Sequence, residues 1–166
     1  MERIVIIGCP GSGKSTLARE LGEILNLTVV HLDRLWWTKG WQNVSREEFD
    51  ARLENALKMD RWIIDGNYSR TMDARLQKCD TIIWLDYSRL SCLWGMFQRV
   101  VLNYGKNRPD MPEGCPERFD WELVKFIWDF NKNNRVLNAT RIAKSKHARA
   151  IVLKSRKEAR QFLMQL

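Results

Sequence analysis

The stretch Gly8-Cys9-Pro10-Gly11-Ser12-Gly13-Lys14-Ser15-Thr16 decides the fold, because it fits the phosphate-binding pattern G-x-x-x-x-G-K-[ST]. The apolar, β-branched residues Ile4 to Ile7 come directly before it and predict a buried strand. Apolar residues recur at helical spacing after it, at Leu17, Leu21, Ile24 and Leu25. A strand, a glycine-rich turn and a helix in this order are the context that the motif requires.

The backbone of this loop explains its chemistry. Its glycines allow a tight turn in which consecutive N–H groups point inward and form a nest for anions. The helix that begins near Lys14 adds the positive end of its dipole. Lys14 can reach the β- and γ-phosphates of a nucleotide, and the Ser15 hydroxyl can ligate Mg²⁺. The predicted site for ATP phosphates therefore consists of Gly8, Pro10, Gly11, Ser12, Gly13, Lys14, Ser15 and Thr16.

Length and composition indicate one ordinary globular domain over residues 1–166. No apolar run approaches membrane-spanning length, and the first residues lead straight into the phosphate loop rather than forming a signal peptide. The spacing of the four cysteines fits no metal site, so we expect free thiols in a reducing cytoplasm. They are Cys9, Cys79, Cys92 and Cys115.

The net charge of +8 is unevenly distributed. Residues 1–98 hold 13 basic and 13 acidic side chains, whereas residues 99–166 hold 15 and 7. A basic half fits nucleic acid, and it equally fits arginines gathered around a polyphosphate. We favour the second interpretation, because the loop already implies a polyanionic ligand.

Three predicted strands lead to an aspartate. They cover residues 28–32, 62–65 and 80–86, and the aspartates are Asp33, Asp65 and Asp86. Ligands gather at the carboxyl ends of strands in open α/β sheets, so these side chains are expected near the cleft. On pattern alone, Asp65 and Asp86 are equal candidates for supporting Mg²⁺. Residues 150–153 predict a fifth strand.

The segment from Arg34 to Trp41 contains three of the eight tryptophans. They fit either a surface that stacks on a ring of the ligand or the small core of a flap. Trp36 and Trp37 are the favoured ligand contacts. Ser45 and Glu48 form a capping box that predicts the start of a helix.

The helix predicted after the fourth strand has an apolar stripe on one side and Arg99 on the other. Arg99 therefore faces either solvent or a cleft. The stripe consists of Leu90, Leu93, Trp94, Phe97, Val101 and Tyr104. Residues 105–117 then break all periodicity with their glycines and prolines, before helical spacing resumes from Trp121.

The form Gly-x-Pro-Gly-x-Gly-Lys-Ser-Thr near the start of the chain resembles the adenylate-kinase-like branch of P-loop kinases. This resemblance implies a three-layer α/β/α sandwich with a five-stranded parallel sheet in the order 2-3-1-4-5. It implies a lid over residues 105–118 that closes over ATP and brings arginines onto the γ-phosphate. Arg99 and Arg108 are our candidates for that contact, because the planar guanidinium suits phosphate oxygens. The resemblance also implies that Asp65 holds Mg²⁺ and that Arg70 approaches the transferred or acceptor phosphate.

Longer segments resemble a group within this branch, the bacterial proteins labelled DNA topology modulation proteins. The segments are residues 31–37, 62–69 and 82–86. The group's label keeps two alternatives open. One is an ATP-binding regulator that acts through a partner, and the other is a DNA-binding protein that uses the basic residues of 131–166.

The favoured function is ATP- and Mg²⁺-dependent phosphoryl transfer to a small acceptor. The expected catalytic residues are Lys14, Asp33, Arg99 and Arg108, and the expected acceptor pocket is formed by Asp33, Trp36, Trp37, Tyr68 and Arg70. A carboxylate repels an acceptor phosphate but accepts the proton of a hydroxyl, so Asp33 favours an alcohol. The identity of the acceptor and the oligomeric state have no signature in the sequence.

Overall fold

Five parallel strands form the central sheet of the computed structural model, which describes residues 1–166. The seven strands of the chain are β1 Arg3–Gly8, β2 Val29–His31, β3 Trp37–Thr38, β4 Gln42–Asn43, β5 Trp62–Asp65, β6 Thr81–Leu85 and β7 Arg149–Leu153. The sheet order is β2-β5-β1-β6-β7, while β3 and β4 form a separate antiparallel pair. Counted among the five parallel strands, this is the predicted order 2-3-1-4-5, which is confirmed.

Helices cover both faces of this sheet and complete the predicted three layers. They are α1 Lys14–Leu25, α2 Leu32–Trp36, α3 Arg46–Leu57, α4 Met72–Lys78, α5 Arg89–Asn103, α6 Trp121–Asn133, α7 Arg135–Lys144 and α8 Arg156–Leu163. None of them combines the length and the apolar character that a membrane-crossing helix needs.

Alternation along β1 divides the core into two halves. Ile4 and Ile6 pack with α1, α5 and α6 on one face, whereas Val5 and Ile7 pack with α3 and α4 on the other. All four side chains are fully buried, as expected for the central strand of a parallel sheet. The strand therefore fixes the position of the loop that follows it between the two layers.

The predicted start of α3 is confirmed, whereas the predicted end of the second strand is not. The Ser45 hydroxyl accepts a hydrogen bond from the Glu48 backbone N–H at 3.1 Å, which confirms the predicted helix start. The second strand, however, ends at His31, and Leu32 already belongs to α2. Asp33 lies in the first turn of that helix, where a carboxylate is favoured by the helix dipole. The expectation of a strand running to Asp33 was wrong.

The orientation of α5 separates its apolar residues into two sets. Cys92, Met96 and Val100 face the core, whereas most of the stripe noted in the sequence is exposed to solvent. Arg99, on the opposite side from that stripe, lines a cavity beside the phosphate loop. The helix thus presents one face to the core, one to the cavity and one to solvent.

Candidate functional site

A cavity of about 520 Å³ lies at the carboxyl ends of β1, β2 and β5. The phosphate loop forms its floor, and Asp33, Asp65 and Tyr68 contribute one wall. Residues from α5 and from the segment between α5 and α6 close the opposite side, with Arg99, Arg108 and Glu117 among them. This volume is in the range typical of small-molecule sites.

The phosphate loop packs directly on the backbone of α5. A Cβ atom at Gly11 would lie 2.2 Å from the Cys92 carbonyl oxygen, and one at Gly95 would lie 2.2 Å from the Gly11 carbonyl oxygen. Gly11 also has a φ of +78°, a conformation that side chains disfavour. These two glycines therefore permit the close approach that places the loop against the helix.

Lys14 lies at the centre of the loop. Its Nζ donates a hydrogen bond to the Cys9 carbonyl oxygen at 3.1 Å. Burial lowers the pKa of Lys14, and the negative charges of Asp65 and Asp33 oppose that shift. The ammonium group is thus poorly solvated and held among carboxylates, which favours exchange of these contacts for phosphate oxygens.

Asp65 joins the phosphate loop to β2. Its Oδ2 accepts a hydrogen bond from the Ser15 hydroxyl at 2.8 Å, and its Oδ1 lies 2.6 Å from His31 Nδ1. His31, the last residue of β2, thus holds this carboxylate in place. Asp86, the other candidate for the metal role, instead accepts hydrogen bonds from the Arg135 guanidinium at 2.7 to 3.1 Å.

The Ser15 and Asp65 oxygens fit the requirements of Mg²⁺. This ion prefers hard oxygen ligands and is commonly held by one or two protein side chains together with phosphate oxygens. No group of three or more His, Cys, Asp or Glu side chains is arranged to hold a metal ion. The neighbouring hydroxyl and carboxylate are the oxygen pair closest in kind to what a nucleotide-bound Mg²⁺ uses.

Asp33 and Tyr68 form a second polar pair in the cavity wall. The Tyr68 hydroxyl donates to Asp33 Oδ1 at 2.7 Å. Burial raises the pKa of Asp33 above its ordinary value, and the hydrogen bond from Tyr68 opposes this effect. Asp33 is therefore a carboxylate with increased basicity and a fixed orientation, which suits acceptance of a proton.

Arg75 holds the turn that carries Tyr68 and thereby supports the Asp33–Tyr68 pair. The sequence alone did not identify this residue. Its guanidinium is fully buried and donates to the carbonyl oxygens of Gly66, Asn67 and Tyr68 at 2.9, 2.7 and 3.2 Å. It thereby holds the turn after β5. The available indication was its place three residues after Met72, on the buried side of α4.

The tryptophans of residues 36–41 divide between the two predicted places, a small packed core and the wall of the ligand cavity. Trp36 packs edge-on against Phe49 and Tyr68, with ring centroids 5.5 and 6.2 Å away, and it does not line the cavity. Trp37 and Trp41 line the cavity, with their centroids 5.6 Å apart. Of the two favoured ligand contacts, the structure brings only Trp37 to the site.

Arg70 is also separated from the other candidate residues. Its guanidinium forms two hydrogen bonds with the Asp50 carboxylate, at 2.6 and 2.8 Å, on the outer surface of the protein. It lies in the turn at Ser69–Thr71 and does not line the cavity. The turn points Tyr68 inward and Arg70 outward.

The two candidate lid arginines share one buried acid. Glu117 Oε2 lies 2.7 Å from Arg108 Nε and 3.1 Å from Arg99 Nε, and Arg108 also pairs with Asp110 at 3.0 Å. Glu117 is only 3% exposed. Sequence reasoning named the arginines but not Glu117, because the acid is 18 positions from Arg99 and only folding brings them together.

The β3–β4 hairpin is fastened to the segment between α5 and α6. The Gly40 N–H donates to the Gly114 carbonyl oxygen at 2.9 Å, and the Trp41 Nε1–H donates to that of Pro116 at 3.2 Å. The Cys115 thiol donates to the Thr38 carbonyl oxygen at 3.0 Å. Two irregular segments that meet at the cavity are thus joined at three points.

Basic residues of the C-terminal part make contacts within the protein. Arg156 donates to the carbonyl oxygens of Gly11 and Ser91 at 3.0 and 3.3 Å, which ties α8 to the phosphate loop and α5. Arg141 pairs with Asp73 at 3.2 Å. These two arginines therefore contribute to the position of the phosphate loop and of α4.

Comparison with known protein families agrees with this geometry. The profile of the family described as AAA domain matches residues 4–102, more than half of the chain. The chain belongs to the AAA domain family. The matched part of this AAA domain protein contains the phosphate loop, Asp33, Asp65 and Tyr68, while the segment with Arg108 and Glu117 lies beyond it. A comparison with curated proteins gives no match.

Three of the solved structures similar to this AAA domain protein are kinases. Shikimate kinase from Acinetobacter baumannii in complex with shikimate has a TM-score of 0.64 at 14% identity, covering 99% of this chain and 90% of that one. Shikimate kinase from Bacteroides thetaiotaomicron has 0.57 at 18%, covering 99% and 95%. A gluconokinase from Sinorhizobium meliloti 1021 has 0.58 at 14%, covering 99% and 92%. At such identities the similarity establishes the P-loop kinase fold.

Proposed function

We propose that the protein transfers the γ-phosphoryl group of ATP to a hydroxyl group of a small acceptor. The observation that carries this proposal is Asp33, a carboxylate of raised pKa that shares one cavity with Lys14 and the phosphate loop. Structural similarity to a shikimate kinase and a gluconokinase supports a small-molecule acceptor. The phosphate loop itself supports a nucleotide as the donor.

On the donor side, the loop N–H groups and Lys14 hold the β- and γ-phosphates of ATP. Ser15 and Asp65 would hold Mg²⁺, which neutralises phosphate charge during the transfer. His31 keeps the Asp65 carboxylate oriented through its Nδ1 contact. Arg156 contributes to the position of the loop through its hydrogen bond to the Gly11 carbonyl oxygen.

On the acceptor side, Asp33 orients the hydroxyl and accepts its proton. The acceptor oxygen forms a bond to the γ-phosphorus while the bond between that phosphorus and the oxygen of the β-phosphate breaks, leaving ADP. Tyr68 holds Asp33 Oδ1, which leaves Oδ2 for the acceptor. Trp37 and Trp41, whose rings meet edge to face, supply an apolar wall that suits the carbon skeleton of the acceptor.

Arg99 and Arg108 complete the site at the γ-phosphate. The Nε atoms of both lie close to Glu117, and Arg108 Nη1 is bonded to Asp110. Arg108 Nη2 and the outer nitrogens of Arg99 are therefore the ones left for phosphate oxygens. Their planar donors match the geometry of a phosphoryl group whose negative charge is spread over its oxygens.

The test is ADP release from ATP and Mg²⁺ across a panel of nucleosides, nucleoside monophosphates, sugars and hydroxy acids. We expect one class of hydroxyl acceptor to stimulate release. Lys14→Ala should abolish the stimulation, and Asp33→Asn should lower kcat by about 100-fold or more. Intact turnover in Asp33→Asn, with none in Lys14→Ala, would exclude the hydroxyl mechanism. A slow ADP release that no acceptor stimulates would instead favour an ATP-binding regulator.

A further inference from the structure

The solvent side of α5 carries a continuous apolar stripe. Its residues are Leu90, Trp94, Phe97, Val101 and Tyr104, which are 72, 57, 53, 60 and 67% exposed. They follow one another at intervals of four, three, four and three residues. No charged side chain interrupts the stripe, so this helix exposes to water the kind of surface that proteins usually bury.

The stripe is not a core face that has been turned outward. The opposite faces of α5 are already in use, since Cys92, Met96 and Val100 pack in the core. Gly95 contacts the phosphate loop, and Arg99 lines the cavity. Rotating the helix to bury the stripe would therefore break both of these contacts and empty the core positions.

Helix α6 extends the exposed surface alongside α5. Trp121 is 74% exposed and Trp128 is 51% exposed. The Arg89 guanidinium lies 4.5 Å from the ring centroid of Trp128, next to Leu90 at the start of α5. Trp121 begins α6, four residues after Glu117, whose backbone pairs with that of Tyr104. Trp128 thus lies near the start of α5, and Trp121 follows the segment that pairs with the end of that helix.

The area of this surface suits a stable interface. An aromatic side chain contributes roughly 150–250 Å². Five aromatic residues, Leu90 and Val101, each at least half exposed, thus present roughly 800 Å² of apolar area. That exceeds the roughly 300–600 Å² of the largest patch on a typical monomer and equals the roughly 800 Å² that each partner buries in a standard interface.

We propose that a second copy of this chain covers this surface, in a two-fold symmetric dimer in which α5 packs antiparallel against α5. The average spacing of 3.5 residues is that of a seam between two helices packed along their length. The stripe is also nearly symmetric about Phe97, since its members lie 7 and 3 residues before it and 4 and 7 after it. An isologous interface requires such a self-complementary surface.

The side-chain sizes fit this arrangement. With the two-fold axis at Phe97, Trp94 lies opposite Val101 of the second copy, so a large side chain meets a small one. Leu90 lies opposite Tyr104 of the second copy in the same way. Because the axis repeats every contact, each of these pairs occurs twice.

A membrane surface fits this face less well. Helices that bind at lipid surfaces carry free basic side chains beside their apolar face. The basic residues of α5 are Arg89 and Arg99, of which the first stacks on Trp128 and the second is paired with Glu117. Neither is free for lipid phosphates, and the other exposed polar residue of α5 is the uncharged Gln98. On α6, Lys125 is exposed between Trp121 and Trp128, but recognition of an anionic lipid surface relies on clusters of several such cations.

The first test is sedimentation velocity of the full chain over a range of concentrations. We expect a species of twice 19.7 kDa for the wild type. Phe97→Asp should raise the dissociation constant at least 100-fold, because two charges would face each other at the axis. Ile24→Asp is the matched control, since Ile24 is 47% exposed on α1 and lies outside this surface. It should leave the dimer intact.

Cross-linking keeps the proposal testable if Phe97→Asp does not fold. Phe97→Cys should form a disulfide-linked dimer under mild oxidation, and Ile24→Cys should not. The native cysteines are all buried and do not compete. A wild type that stays monomeric at about 100 μM, or a dimer unaffected by Phe97→Asp, would overturn the proposal. A monomer that cosediments with anionic vesicles would overturn it in favour of a membrane surface.

Discussion

At the level of single residues, Tyr68 controls the charge of Asp33. Its hydroxyl donates to the carboxylate and so stabilises the ionised form, which opposes the effect of burial on the pKa of Asp33. Tyr68→Phe removes this donor and raises that pKa further. If Asp33 is the general base, the acid limb of the pH profile of kcat/KM moves to higher pH, and activity on that limb falls about tenfold.

The measurement is kcat/KM as a function of pH for Tyr68→Phe and for a control, Trp36→Phe. Trp36 contacts the ring of Tyr68 but has no hydrogen bond to Asp33, so the control should keep the wild-type acid limb. An acid limb that stays in place or moves to lower pH in Tyr68→Phe would contradict the assignment of Asp33 as the base.

Glu117 neutralises the positive charges of Arg99 and Arg108 in the wall of the cavity. Its carboxylate is the buried counter-charge of both Arg99 and Arg108, and the pKa of Arg99 is already lowered by burial and by the positive charge of Arg108. Glu117→Gln leaves two cations close together without that charge. We expect the free energy of unfolding to fall by about 3 kcal/mol. Glu113→Gln, an exposed change in the same segment, should leave denaturant unfolding unchanged.

At the level of elements, the β3–β4 hairpin and the segment after α5 behave as one unit. Gly114 lies at their junction with a φ of +81°, and a Cβ atom there would lie 2.5 Å from Lys39 Cγ. Gly114→Ala should therefore push the segment from the hairpin and break the bond from the Gly40 N–H to the Gly114 carbonyl oxygen. Hydrogen exchange of the Gly40 amide should accelerate at least tenfold.

Gly105→Ala is a matched control for this experiment. Gly105 lies in the same segment and has a similar φ of +72°, but a Cβ atom there would contact nothing within 4 Å. Both variants carry the same backbone strain, of about 1 kcal/mol, and only Gly114→Ala meets the hairpin. Equal exchange rates at Gly40 in the two variants would show that the hairpin and the segment move independently.

The same elements explain what could be predicted from the sequence. The phosphate loop and the buried strands follow from local patterns, because glycines at fixed spacing and β-branched runs have few structural solutions. The order of the strands comes from the resemblance to adenylate-kinase-like proteins and not from any local pattern. The contact of Glu117 with Arg99 arises only when distant segments meet, and the role of Arg75 depends on how α4 folds back on the turn after β5. The stripe of α5 has the periodicity of a buried face, and periodicity alone does not say which of two apolar faces meets the core.

At the level of the whole molecule, Arg75 contributes both to the free energy of unfolding and to the position of the turn that lines the cavity. Its guanidinium satisfies three carbonyl oxygens of the turn that carries Asn67 and Tyr68, and the Asn67 Oδ1 in turn accepts a hydrogen bond from the Gly8 N–H at 3.3 Å. The turn, the phosphate loop and α4 are thus fastened together through one buried side chain. Its loss should affect global unfolding as well as the cavity.

Arg75→Met keeps most of the apolar stem and leaves those buried oxygens without a donor. We expect the free energy of unfolding to fall by about 3 kcal/mol, which lowers Tm by roughly 6–12 °C for a chain of this size. Arg70→Met is the control, because it removes an arginine five residues away whose partner, Asp50, is a surface carboxylate. Surface ion pairs contribute little, so its Tm should barely change. Equal losses in the two variants would mean that the turn is held by its own backbone, and Asp33 and Tyr68 would then keep their geometry without Arg75.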